Sequence, residues 1–233
     1  MIGVDQLQVL PGNSVKAHRL VNSKFPPIAI FDDVASADEF EDLYAIQALT
    51  NPRLSNQAGR LELIPRAEIP FGIPGCSYAT APFTHVNPDG SRFSDGTFGV
   101  LYLADSIETA IAEVRYHQQV YWSRVPDLRY ERFTFRGLTT RFDERGVLDA
   151  LPVARDNAIY APDDYSASRL LERSALGYGA TGIRYHSVRR ADGICWGLLT
   201  PKPVKSVVQT AHYEMIWSGE IFAVHKLSSD ITG

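Results

Sequence analysis

Residues 98–104 form a short and continuous apolar run, FGVLYLA, bounded by a glycine and an aspartate. A run of this length without polar alternation is typical of a strand that is buried on both faces. Because side chains alternate along a strand, Tyr102 is expected to share a face with Phe98 and Val100. The run therefore predicts a buried strand that carries one tyrosine.

The segment that follows changes to a helical period. Asp105 and Glu108 have the spacing of a capping box, and apolar residues then recur every three to four positions. These features predict a helix of roughly three to four turns. On it, Glu113 lies at the flank of the apolar face, on the same side as Ala110 and His117. By pattern alone, Glu113 is a boundary glutamate of an amphipathic helix or a side chain that faces a cleft.

The N-terminal third shows a strand, a helix and a long irregular stretch. Residues 14–22, SVKAHRLVN, predict a strand that carries Arg19. Ser36 and a glutamate three residues later form a second capping box, which predicts a helix over about 37–49 that Asn and Pro then close. Residues 64–97 are rich in Pro and Gly and show no sustained period, so they predict a long loop of the kind that is usually functional or disordered.

The second half of the chain is dominated by strands. It comprises a strand over 129–138, a connector with a short helical turn over 141–151, a helix over 166–176 with Gly177 at its C-terminal cap, and two hairpins, 182–188 with 194–200 and 207–217 with 220–227. Hairpins space these strands too closely for a doubly wound fold. The pattern predicts one α+β domain that spans residues 1–233.

Composition describes an ordinary globular chain. At 233 residues and 45% hydrophobic content, it can form a sizeable core in a single domain. No apolar run approaches the roughly 18–20 residues that a membrane span needs, and the N-terminus lacks the basic and apolar regions of a secretory signal. We therefore expect a cytoplasmic protein without a membrane partner.

The charged residues argue against one class of partner and show a bias toward arginine among the cations. The net charge of -4 argues against direct nucleic-acid binding. The cations are 18 arginines and 5 lysines. The guanidinium fork suits bidentate contacts with phosphate and carboxylate, although a high genomic GC content produces the same bias without any function.

The sequence motifs of several common enzyme classes are absent. The chain has no HExxH, paired CxxC, Walker loop, GxSxG or GxGxxG motif, and its six histidines do not have metal-ligand spacing. We therefore expect no metal and no bound cofactor. Cys76 and Cys195 are too few for a disulfide framework and fit a reducing compartment. Nucleophilic catalysis by either cysteine stays open, but an apolar strand around Cys195 favours a buried, inert thiol.

The remaining candidates carry a family resemblance. The sequence SRF, then LYLADSIETAIAEV, and downstream GIRYHSVR resemble the RES-domain toxins of bacterial type II toxin–antitoxin pairs. The arginine, glutamate and serine that give this family its name match Arg92, Glu113 and Ser187, and the tyrosine eleven residues before the glutamate matches Tyr102. An arginine of the first strand matches Arg19, about seventy residues before Arg92, which is farther than in compact family members. The similarity runs over much of residues 17–227, and residues 20–90 include an N-terminal extension and the long loop.

The resemblance implies a fold, a substrate and a partner. The fold is an α+β domain similar to ADP-ribosyltransferases. The substrate is NAD, which is consumed and is not a cofactor. The partner is a cognate antitoxin with a DNA-binding helix-turn-helix region.

The matched residues suit this chemistry. Cleavage of the nicotinamide–ribose bond passes through an oxocarbenium-like state, which the carboxylate of Glu113 would stabilise. The ring of Tyr102 would stack on the nicotinamide, while Arg92 and Arg19 would bind the pyrophosphate. Ser187 would hydrogen-bond the ribose or the carboxamide, or hold Glu113.

Three functions are compatible with these residues. The leading interpretation is a toxin that consumes NAD by hydrolysis or phosphorolysis. A variant of it transfers ADP-ribose to a protein target. The third is a non-catalytic module that only binds a partner, although such a module would have no chemical reason to keep all four matched side chains.

Overall fold

Two long strands, β4 and β8, pair along most of their length and form the widest part of a twisted sheet. The computed structural model describes residues 2–24, 31–32, 34, 36–48 and 58–227. Over these residues the sheet has nine strands in the order β1-β5-β6-β7-β3-β2-β4-β8-β9. The strands are β1 (Gln8–Val9), β2 (Ser14–Asn22), β3 (Leu101–Ala104), β4 (Glu131–Asp143), β5 (Val147–Asp149), β6 (Gly182–His186), β7 (Ile194–Leu198), β8 (Val204–Trp217) and β9 (Ile221–Leu227).

The sheet is mixed, since β5 and β6 are parallel whereas every other neighbouring pair is antiparallel. Four α-helices accompany it in the described part of the chain: α1 (Ala37–Ala48), α2 (Cys76–Thr84), α3 (Ile107–Trp122) and α4 (Ser166–Tyr178). The predicted α+β class and single domain are confirmed. None of these helices has the length and apolar content that crossing a bilayer requires.

Each face of the sheet covers its own hydrophobic cluster. Helices α3 and α4 pack on one face, where Trp122 and Leu171 are buried, and we call this the α3 face. Helices α1 and α2 pack on the other face against Phe142 and Trp196. Strand β3 contributes to both clusters in alternation, with Leu103 toward α1 and α2 and Tyr102 toward α3. The predicted sharing of a face by Tyr102, Phe98 and Val100 is confirmed.

The capping of the predicted helices is only partly as expected. Helix α3 begins after Ser106, whose Oγ accepts a hydrogen bond from the backbone N–H of Thr109, so the prediction of Asp105 as its N-cap was wrong by one residue. At α1, Ser36 Oγ accepts from the backbone N–H of Glu39, as the capping-box pattern indicates. The predicted closing residues of that helix, at 51–52, lie outside the described part of the chain.

Two segments have more regular structure than their sequences predict. The long loop at 64–97 contains helix α2, although Pro82 lies inside that helix and has no N–H to donate to the preceding turn. The connector at 141–151 was predicted to contain a helical turn, but β4 continues to Asp143 and residues 147–149 form β5. In both cases, pairing and packing with distant residues outweigh the local pattern.

Helix α4 ends two residues later than predicted. Gly179 is the C-terminal cap, with a left-handed φ of 82° and its N–H donating to the carbonyls of Ala175 and Leu176. Gly177, the predicted cap, is helical. A glycine suits position 179 because a Cβ in the left-handed region is strained.

These two glycines provide a matched test, since a Cβ added at either one would have no neighbour within 4 Å. Gly177→Ala should raise the free energy of unfolding by about 0.5–1 kcal/mol, because alanine loses less backbone entropy in a helix. Gly179→Ala should lower it by about 1 kcal/mol because of the left-handed backbone. Thermal and urea unfolding of the two variants checks this. Stabilisation by both substitutions would show that the helix does not end at Gly179.

Candidate active site

Glu113 lies at the end of the second turn of α3, where the helix packs across the α3 face of the sheet. Thr109 and Ala110 are buried on that side of the helix, and Glu113 follows at its margin as a half-buried side chain. The start of the helix is tied to the β6–β7 turn, because Arg190 Nη1 donates to Ser106 Oγ and to Thr109 Oγ1, each at 2.9 Å. The position of Glu113 is therefore set by the turn as well as by helix packing.

Ser187 connects that turn directly to the carboxylate. It follows β6, is 2% exposed, and donates its hydroxyl proton to Glu113 Oε1 at 2.6 Å. The same Oγ accepts from the backbone N–H groups of Arg189, at 3.2 Å, and Arg190, at 3.0 Å. Because the two amides occupy its acceptor side, the hydroxyl is oriented to donate to Glu113. Of the roles considered for Ser187, this structure shows the one that holds Glu113.

Tyr102 is fixed at both its ring and its hydroxyl. The hydroxyl lies 2.8 Å from Ser91 Oγ and accepts from the backbone N–H of Phe93 at 2.8 Å. Burial raises the pKa of Tyr102 to about 12, so the phenol stays neutral. Its ring lies beside Gly197 of β7, where a Cβ would come within 3.5 Å of the tyrosine and 3.1 Å of Phe93. The missing side chain at 197 makes room for both rings.

Arg92 is held by the segment that precedes α4. It is 8% exposed, and its Nη1 donates to the carbonyl oxygens of Ile159, at 2.8 Å, and Ala161, at 3.1 Å. Its guanidinium carbon lies 4.8 Å from the ring centre of Tyr165. Because these partners are neutral, they leave the positive charge of Arg92 without compensation.

Arg19 reaches the same region from β2. Its Nη1 lies 3.4 Å from the carbonyl oxygen of Tyr102. Burial lowers the pKa of Arg19 to about 10, which still leaves it positively charged at neutral pH. Glu113 and Ser187 form one part of the candidate site, and Tyr102 and Arg92, linked through Ser91 and Phe93, form the other. Arg19 contacts Tyr102 only at its backbone, and strand alternation puts it on the same face of β2 as Ala17 and Val21, which belong to the opposite cluster.

Several residues at this site escaped the sequence analysis. Tyr185 is buried, and its ring centre lies 5.0 Å from that of Phe93 in an edge-on arrangement. Burial raises the pKa of Tyr185 well above its usual range, and the charge of Glu113 adds to the shift whereas Arg92 opposes it. Tyr185 lies two residues before Ser187, so strand alternation alone places both on one face and could have identified it. His117 lies one turn after Glu113. The surrounding protein lowers the pKa of His117, and the negative charge of Glu113 opposes that shift.

The two cysteines are poor nucleophiles in this setting. Burial raises the pKa of Cys76 to about 12. Burial, and next the charge of Glu113, raise the pKa of Cys195 well above its usual range. Cys195 Sγ lies 3.9 Å from Glu113 Oε1, where it fills space beside the carboxylate as a neutral thiol. Within the described residues, no group of three or more His, Cys, Asp and Glu side chains is arranged to hold a metal ion.

Comparison with known proteins identifies the family. The sequence model of the RES domain matches residues 69–218, so the chain belongs to the RES-domain family. The match includes Arg92, Tyr102, Glu113 and Ser187, whereas Arg19 precedes it. The resemblance inferred from the sequence is confirmed at the level of the family.

Two individual proteins are similar over most of their length. The protein y4oC of Sinorhizobium fredii (strain NBRC 101917 / NGR234) is 30% identical over 207 residues, which cover 87% of this chain and 83% of y4oC. Among solved structures, the M. tuberculosis MbcT–MbcA toxin–antitoxin complex contains a chain that matches with a TM-score of 0.46 and 14% identity, over 89% of both chains.

Glu172, on α4, is a buried carboxyl outside the candidate site. It is 1% exposed, and none of the described residues hydrogen-bonds its Oε1. Burial raises the pKa of Glu172 from 4.5 to about 7, with Asp95 adding to the shift and Arg173 opposing it. Between these two pKa values the native state holds a proton that the unfolded state has lost, so the free energy of unfolding falls as pH rises through this window.

Glu172→Gln should therefore stabilise the protein in a pH-dependent way. At about pH 8, where the wild-type carboxylate is ionised and buried, we expect a gain of about 1–3 kcal/mol, and near pH 4.5 almost none. Thermal melts of both proteins across this range measure the difference. Glu220→Gln, at an exposed position, serves as the control. Melting curves of wild type and Glu172→Gln that shift in parallel with pH would contradict the prediction.

Proposed function

We propose that this chain is a toxin that consumes NAD by cleaving the bond between nicotinamide and ribose. The observation that carries the proposal is the Ser187–Glu113 hydrogen bond of 2.6 Å, which holds one carboxylate on the same side of the sheet as Tyr102, whose hydroxyl is bound to the residues on either side of Arg92. A carboxylate, an aromatic ring and guanidinium groups are complementary to an oxocarbenium ion, a nicotinamide and a pyrophosphate.

In this proposal, Glu113 stabilises the positive charge that develops on the ribose as the bond to nicotinamide breaks and its electron pair leaves with the nicotinamide. Water or phosphate then adds to the ribose carbon. Ser187 keeps one carboxylate oxygen oriented, so little reorganisation is needed when the charge appears. Tyr102, neutral and fixed at its hydroxyl, offers its ring for stacking on the nicotinamide.

The arginines suit the anionic part of the substrate. The Arg92 guanidinium uses Nη1 for two carbonyl oxygens, and bidentate binding of a phosphate would use its other nitrogens. In the proposal, Arg19 adds a second positive charge, held 3.4 Å from the carbonyl oxygen of Tyr102. An ADP-ribosyl transfer to protein would use the same residues and differ only in the acceptor, so product identification separates the two reactions.

Glu113→Gln tests the central step. Glutamine keeps the size and can still accept from Ser187, but it removes the negative charge that stabilises the transition state. Groups of this kind contribute about 3–4 kcal/mol, so nicotinamide release at saturating NAD should fall on the order of a hundredfold or more.

Glu108→Gln, at an exposed position on the first turn of the same helix, is the matched control and should keep full activity. Thermal melts of both variants should resemble that of wild type. Wild-type turnover by a normally folded Glu113→Gln variant would remove Glu113 from the reaction. Separation of free ADP-ribose, its phosphorylated form and modified protein identifies the acceptor, and no NAD loss at all would favour a binding module.

We further propose that a cognate antitoxin with a helix-turn-helix region silences this activity, since a protein that destroys NAD is lethal to its own cell. Expression of the chain alone should deplete NAD and stop growth, whereas the Glu113→Gln variant should be tolerated. Co-expression with the protein encoded next to it should restore both NAD and growth. NAD turnover by the purified pair at the rate of the free chain would contradict this part of the proposal.

A further inference from the structure

Arginine side chains form hydrogen bonds in both directions between the loop that carries Arg92 and the segment that contains α4. We call residues 89–98 the Arg92 loop. From the loop, Arg92 donates to two carbonyl oxygens in the segment just before α4, those of Ile159 and Ala161. From the helix, Arg169 donates in the opposite direction, to carbonyl oxygens of the loop.

The contacts of Arg169 are short and directed. Its Nε lies 3.0 Å from the carbonyl oxygen of Ser91, and its Nη2 lies 3.1 Å from that of Asp89. Between these two residues the guanidinium lies so close to Gly90 that a Cβ there would come within 2.7 Å of Nη2. A guanidinium satisfies two carbonyl oxygens at once because its donors form a rigid planar fork, whereas a lysine ammonium is a single point.

The residue that Arg169 holds, Ser91, is connected to both Arg92 and Tyr102. Ser91 precedes Arg92 directly, and its hydroxyl lies 2.8 Å from that of Tyr102. Phe93, on the other side of Arg92, donates its N–H to the same tyrosine hydroxyl. A shift of the loop at Ser91 would therefore displace the guanidinium of Arg92 and release the ring of Tyr102.

We infer that Arg169 is a positioning residue for substrate binding, which sets the places of Arg92 and Tyr102 through the carbonyl oxygens of the Arg92 loop. The inference rests on the proposed function for its substrate, NAD, but it concerns a residue outside the four that the family motif marks. Arg169 itself bonds to the backbone and does not need to touch NAD.

The helix offers a matched control for this role. Arg173 is one turn further along α4 and contacts the same loop, through an ion pair with Asp95 of 3.3 Å. That pair is on the surface, where the Arg173 side chain is 63% exposed, and it bonds a side chain instead of the backbone beside Arg92. Exposed pairs of this kind contribute little, so Arg173→Ala should leave the loop in place.

The test compares Arg169→Ala, Arg169→Lys and Arg173→Ala. For both Arg169 variants, we expect the Michaelis constant for NAD to rise about tenfold, as loss of charge-assisted hydrogen bonds implies, while turnover at saturating NAD changes much less because Glu113 and Ser187 are untouched. Amide hydrogen exchange of residues 90–98 should speed up in both variants without NAD present. Arg173→Ala should match wild type in each measurement.

Arg169→Lys keeps the charge and most of the packing, so it remains informative if the alanine variant does not fold. A wild-type Michaelis constant in the lysine variant would overturn the inference. A raised Michaelis constant for NAD with unchanged amide hydrogen exchange in the Arg92 loop would also overturn the inference, because Arg169 would then act on the substrate directly. If the wild-type protein does not cleave NAD, the proposed function fails, whereas the exchange measurement still reports whether Arg169 holds the loop.

Discussion

The alternation of side chains along three neighbouring strands is the constraint on which the candidate site depends. The pairing of β3 with β7, and of β7 with β6, places Ala104, Cys195 and Tyr185 in one row across the sheet, and Tyr102, Gly197 and Ile183 in the next. Residues of both rows face α3. Since a slip of one residue would turn every side chain to the opposite face, this register is what brings Tyr102 to the same side as Glu113 and Ser187.

Arginine has a structural role in this protein beyond its charge. Arg92, Arg169 and Arg190 donate to carbonyl or hydroxyl oxygens of segments that are distant in the chain. Buried apolar side chains such as Phe93 and Ile159 anchor the loops around the site, and guanidinium groups add directed bonds between the loops. The abundance of arginine over lysine thus has a structural use here, whatever its genomic origin.

The carboxylate of Glu113 has one hydrogen-bond donor, the Ser187 hydroxyl, and an uncharged thiol beside it. Ser187 bonds one oxygen of the carboxylate, while Cys195 stays neutral and fills the adjacent space. In low-polarity surroundings a charge interacts strongly with the groups that remain close to it. This arrangement suits a carboxylate that has to respond to a positive charge developing nearby.

Patterns in the sequence were sufficient to predict the α+β class, most of the strands, the helices at α1, α3 and α4, and the family through its Arg, Tyr, Glu and Ser residues. These features depend on local periods, turn residues and a short motif, all of which operate between residues that are near in the chain. The formation of helix α2 within a stretch rich in Pro and Gly, and the continuation of β4 to Asp143, depend on long-range packing. Long-range packing also sets which residues contact each other, since Ser187 is 74 residues from Glu113 and Arg169 is 78 from Ser91. Contacts over such separations are set by sheet register and packing, which no local pattern records.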